Sequence, residues 1–137
     1  MSTTDRSRVA AWEARGRSHT VGGHRLFALD LAARDERAEP VVILHGFPTS
    51  SMDWAGSVDV LAEHRRVIAP DLLGFGLSAK PDRRYSIELQ CDLVEVLLEQ
   101  LDVRRFALVT HDMGDSVGGE LLARQIDGSS ELVATRR

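Results

Sequence analysis

The chain has 137 residues, 43% of them hydrophobic and 28% charged, with a net charge of −4 at pH 7. That length and composition fit one globular domain with a sizeable core and exclude a second. The basic pairs Arg65-Arg66, Arg83-Arg84, Arg104-Arg105 and Arg136-Arg137 are scattered along the chain, so no cationic face forms and nucleic acid is excluded as a partner.

Residues 1–16 read as a polar lead-in with a short helix around RVAAWEARG, and 17–137 as the domain itself. SHTVGGHRLFALDL alternates about Gly22-Gly23, a β-hairpin pattern. A charged loop, AARDERAEP, leads to VVILHG, a short β-branched run that suits a strand buried on both faces. From Ser51 to Glu63 the positions Trp54, Val58, Leu61 and Ala62 keep helical spacing, and RVIAP then reads as a second buried strand. DLLGFGLSAKPDRR carries two glycines and Pro81 and is a loop. Ser86 can cap the next helix, in which Ile87, Cys91, Val94, Leu98 and Leu101 form an apolar stripe opposite Glu88, Asp92, Glu95 and Glu99. RFALVT is a third buried strand and DSVGGELLARQ a helix. Strands alternating with helices make the fold class α/β, with parallel strands joined by right-handed crossovers.

The single cysteine, Cys91, excludes an internal disulfide and fits a reducing compartment. The opening MSTTDRSR lacks the apolar core of a signal peptide, and no apolar run reaches membrane-spanning length. A soluble, cytoplasmic protein without a membrane partner is expected.

Three loops follow the buried strands: HGFPTSS, DLLGFG and THDMGD. Parallel strands put all three on one rim, where ligands of such sheets bind. In the third, Thr110-His111-Asp112-Met113-Gly114 sets an acid between small residues where a strand turns into a helix. Gly114, and Gly118 one turn later, let that helix approach the strand, and its amino end favours a carboxylate at Asp112. On this loop alone, Asp112 reads equally as a presented nucleophile or as a helix N-cap. The middle loop matches the dinucleotide fingerprint at Gly74-Phe75-Gly76-Leu77-Ser78-Ala79. Pro81 and Asp82 leave no room for the helix that fingerprint needs, which argues against a nucleotide site, and no cofactor is expected.

The motifs His45-Gly46-Phe47-Pro48, D-x-x-G-x-G-x-S at 71–78 and HDMGDSVGGELLAR at 111–124 together resemble the α/β-hydrolase superfamily. The resemblance is to its epoxide hydrolase and haloalkane dehalogenase branch, and within it to the subgroup around the mesoderm-specific transcript protein. It covers only the amino-terminal half of that fold. It implies that Asp112 is a nucleophile that forms an alkyl-enzyme ester with a small-molecule electrophile. The backbone N–H groups of Phe47 and Met113 would form the oxyanion hole, with His45, Gly46, Pro48, His111 and Gly114 as supporting residues. Halide binding in the branch commonly uses an Asn after His-Gly and a Trp after the nucleophile. Phe47 and Met113 offer no side-chain donor there, so epoxide opening is expected over dehalogenation.

The family's later acid and His have no counterpart. After Asp112 come 25 residues with no histidine; all five, His19, His24, His45, His64 and His111, precede it. His19 and His24, beside the hairpin turn, read as exposed polar residues rather than a metal pair. His64 reads as the end of a helix, and no metal site is expected. Asp115, in the elbow helix, and Asp127, near its far end, are misplaced for the acid. GSSELVATRR shows no terminating element, so the chain reads as truncated, open along an apolar strand edge, prone to aggregation and inactive in turnover. The alternative is a non-catalytic remnant or binding module.

Overall fold

The computed structural model describes residues 1–135. Six strands form one sheet in the order β1-β2-β4-β3-β5-β6. β1 (Gly16–Val21) and β2 (His24–Leu31) form the expected hairpin, turning through Gly22 and Gly23 at φ values of 54° and 79°. Only glycine takes two such conformations in succession at little cost. β2 then pairs antiparallel with β4 (Val67–Pro70), while β4 and β5 (Arg105–Thr110) flank β3 (Val41–Leu44) in parallel.

The continuous apolar run of β3 has a direct cause. Val42 and Leu44 face a core shared with α3 (Ile87–Gln100) and α4 (Met113–Asp127), whereas Val41 and Ile43 face another core closed by Trp12 and Val58. All four are at most 2% exposed, so neither face could accept the polar half of an alternating pattern.

Several elements differ from expectation. α1 (Thr3–Glu13) starts well before RVAAWEARG because Ser2 and Asp5 form a reciprocal capping box. The segment from Ser51 to Glu63 is not one helix. It divides into a 3-10 turn, Ser51–Trp54, and a four-residue α2, Val58–Leu61. Gly56 lies at the break, where the Ser57 N–H tightens onto the Trp54 carbonyl; a mid-helix glycine costs about 1 kcal/mol. His64 therefore lies beyond the helix that it was expected to end.

α3 is capped by Ser86 as expected, its Oγ accepting the Leu89 N–H at 3.0 Å. It buries a second stripe, Leu93 and Leu97, against the hairpin residues Val21, Leu26 and Ala28. Its acidic stripe is not merely solvated. Arg124 of α4 bonds Asp92, Glu95 and Glu120 at 2.7 to 2.9 Å, tying the two helices together. The tail expected to hold no element contains β6 (Val133–Thr135), which pairs in parallel with Arg105–Ala107 of β5 and buries Leu132. Beyond that register, Leu108, Val109 and Thr110 line an open hollow with Gly118 and Leu122.

Candidate active site

Parallel β3, β4 and β5 deliver their following loops to one rim. Asp112 forms the corner between β5 and α4 at φ 54° and ψ −118°, a region that costs a non-glycine residue about 1–3 kcal/mol. It occupies the N-cap position, yet its side chain makes no capping hydrogen bond. Instead Oδ1 accepts the Phe47 N–H at 2.8 Å, although the two are 65 residues apart in sequence. The amides of Phe47 and then Met113, with a smaller contribution from His111, hold the Asp112 carboxyl below its ordinary value of 3.8. Of the two amides, Phe47 has full hydrogen-bond geometry, while Met113 acts as a nearby dipole at the start of α4. The carboxylate is exposed, and Oδ2 accepts no hydrogen bond from the described residues.

Small neighbours permit this corner. A Cβ on Gly114 would stand 2.3 Å from the Leu44 carbonyl oxygen and 2.8 Å from that of His45. A Cβ on Gly46 would stand 2.8 Å from Asp112 Cβ. Gly118 spares a 2.7 Å clash with Thr110 Cγ2. Gly114 thus lets α4 abut β3 and Gly118 lets it abut β5, while Gly46 brings the first loop against the nucleophile candidate.

His45 and Asp71 hold the loops in register. His45 is fully buried; its Nδ1 lies 2.9 Å from the Gly46 carbonyl and its Nε2 accepts the Leu72 N–H at 2.9 Å. This pattern puts the ring hydrogen on Nδ1. Asp71, 1% exposed, accepts the Ser51 N–H at 2.7 Å on one oxygen and the Leu77 N–H at 2.8 Å on the other. Ser78 closes the same loop by donating to the Asp71 carbonyl at 2.6 Å. Sequence reasoning used D-x-x-G-x-G-x-S only as one of the motifs that carry the resemblance and missed Asp71 as a loop clamp. The signal available was an acid directly after a buried strand.

Two hollows open beside Asp112. One, about 400 Å³, is of mixed character, lined by Thr49, Asp53, Ser57 and His111 together with Gly46, Phe47 and Trp54. The other, about 390 Å³, is mainly apolar, lined by Phe47, Phe75, Tyr85, Ile87 and Met113. Asp112 itself lines neither. Phe47, 65% exposed, borders both and packs edge-on against Phe75 at 5.8 Å. The peptide joining it to Pro48 is cis.

The remaining candidates lie elsewhere. Asp115 lines the open hollow on the far side of α4. Asp127 accepts the Ser129 N–H at 2.8 Å as a turn cap. His19 and His24 are half-buried rather than exposed, and His19 Nε2 is enclosed without a hydrogen-bond partner. Among the described residues, no group of three His, Cys, Asp or Glu side chains could hold a metal ion. None of their helices is long and apolar enough to cross a membrane.

The α/β hydrolase fold family matches residues 39–127. The human mesoderm-specific transcript homolog protein is 46% identical over 118 residues, which cover 83% of this chain and 35% of that protein. A haloalkane dehalogenase of Agrobacterium fabrum is 41% identical over 88 residues, 64% of this chain and 29% of the relative. The solved epoxide hydrolase CorEH superposes with a TM-score of 0.76 at 29% identity, covering 86% of this chain and 39% of that one. The chain thus spans about a third of the length of the curated relatives it matches. With the strand order, the tight corner and the family match in agreement, the chain belongs to the α/β hydrolase fold family.

Proposed function

We propose that the chain carries the nucleophilic half of an epoxide-opening hydrolase, with Asp112 as the attacking carboxylate. The observation that carries this reading is the 2.8 Å bond from the Phe47 N–H to Oδ1 of the exposed Asp112, with Oδ2 accepting no hydrogen bond from the described residues. A helix cap would turn its side chain onto its own helix; this one meets a donor from another loop.

In the first step an Oδ2 lone pair forms a bond to an epoxide carbon. The ring C–O bond breaks, its electron pair stays on oxygen, and that oxygen takes a proton from water. In the second step water attacks Cγ of the resulting ester and gives up a proton to a base outside these 137 residues. Oδ1 then carries the developing negative charge, where the Phe47 amide bonds it and the Met113 amide, at the start of α4, would add a second donor. Preorganised donors of this kind are worth about 3–4 kcal/mol each in a transition state. Collapse restores the carboxylate and releases the diol.

Haloalkane dehalogenases are also among the similar proteins. Halide departure needs a donor at the leaving group, and the side chains of Phe47 and Met113 have none. Epoxide opening makes no such demand on these two residues.

Incubation with styrene oxide, followed by intact-mass measurement, tests the reading. The expected result is one added epoxide per chain, absent from Asp112→Asn. A folded chain that gains no adduct, or a variant that gains the same adduct, overturns it.

A further inference from the structure

The two hollows beside Asp112 differ in chemistry, and the chain divides them at the nucleophile. His111, just before Asp112, lines the mixed hollow, and Met113, just after it, lines the apolar one. Phe47, whose amide holds Oδ1, borders both. An epoxide carbon brought to Oδ2 therefore has unlike surroundings on its two sides.

The apolar side offers Phe75, Tyr85, Ile87 and Met113. The Tyr85 hydroxyl is already engaged, donating to the Pro81 carbonyl at 2.7 Å. The Gln90 amide is likewise engaged with the Leu73 backbone, at 2.9 and 2.8 Å. Little on this wall remains to satisfy a polar substituent, whereas an aromatic or aliphatic one gains by leaving water.

The mixed side is different. Asp53 is exposed and its carboxylate bonds no other described residue. Thr49 donates its hydroxyl hydrogen to the Gly46 carbonyl at 3.0 Å, which leaves its lone pairs to accept. Trp54, Ser57 and His111 complete this wall, and Asp53 is the one carboxylate on it, so a substituent that donates finds a charged acceptor there.

Resting on the proposed nucleophile, we propose that the site selects unsymmetrical epoxides. One carbon bears an aryl or alkyl group, seated over Phe75 and Met113. The other bears a hydrogen-bond-donating arm, such as a hydroxymethyl, directed at Asp53. A carboxylate on that arm is repelled by Asp53.

Three probes that share a phenyl group test this: 3-phenylglycidol, 1-phenyl-1,2-epoxybutane, in which methyl replaces the hydroxyl, and 3-phenylglycidate. The rate of adduct formation at Asp112 of the full chain is followed by peptide mass mapping. Phenylglycidol is expected to react about three- to tenfold faster than the epoxybutane, the range of one hydrogen bond, and phenylglycidate slowest. In Asp53→Ala the ratio of the first two rates is expected to fall to about one. Equal rates for all three probes overturn the selectivity and leave the nucleophile standing. A preference that Asp53→Ala leaves intact overturns the assignment to this hollow. No adduct at Asp112 from any probe overturns the nucleophile itself, and the selectivity with it.

Discussion

Asp71 and Asp112 follow β4 and β5, the two strands that flank β3, and each accepts a backbone N–H from another loop. Asp71 is sealed in, with both oxygens bonded, one to Ser51 and one to Leu77. Asp112 is exposed, with Oδ1 bonded and Oδ2 open. The same side chain is a clamp in one place and a candidate reagent in the other. Burial and one unused oxygen make the difference.

The largest effect that bears on this contrast is expected from Asp71→Ala. It leaves two N–H donors in and beside the core without acceptors, at about 1–3 kcal/mol each. Chemical denaturation of the variant should show a loss of about 2–6 kcal/mol; an unchanged midpoint would break the comparison from the Asp71 side. Gly114→Ala comes next. It drives a methyl group into the carbonyls of Leu44 and His45, and backbone cannot swing aside as a long side chain can. A loss of about 2–3 kcal/mol and a lowered thermal midpoint are expected.

Asp112→Asn should barely move stability, by less than about 0.5 kcal/mol, because the residue is exposed and Asn tolerates positive φ. Adduct formation should nevertheless vanish. The smallest effect is in pH. A carboxyl whose pKa is lowered stays charged as pH falls, so alkylation at Asp112 should be flat from about pH 8 to pH 5. It should decline only below the ordinary carboxylate value of 3.8. A rate that halves near pH 5, after subtraction of the Asp112→Asn background, would mean that the backbone donors do not hold the charge. As a control on folding throughout, Cys91 is fully buried and its thiol is pushed up to about 12 by that burial. It should resist iodoacetamide until denaturant is added.

The strands and the corner were legible in the sequence because each answers to one strong local constraint. VVILHG can be apolar throughout only if both faces of the sheet are covered, as Val41 to Leu44 are. Gly46, Gly114 and Gly118 mark close approaches that any other residue would block. Less legible were features that depend on distant partners. Leu93 and Leu97 form a stripe only because the hairpin lies beside α3. The acidic face of the same helix reads as solvated until Arg124 arrives from α4. Val133–Thr135 is too short for a pattern and becomes a strand through β5. The uneven segment from Ser51 to Glu63 turns on Gly56, whose cost local spacing does not reveal. Asp112 was visible as an acid at a corner. Its pairing with the Phe47 amide was implied by the family resemblance, since no local pattern links residues so far apart.

Site-resolved mass mapping of the chain after exposure to styrene oxide, once native and once in denaturant, tests the central claim most directly. The chain has 21 acidic residues. The native chain is predicted to carry the ester at Asp112 alone, and the denatured chain to lose that preference. Esters spread over surface carboxylates in the native chain, with Asp112 no faster than its neighbours, would contradict the account.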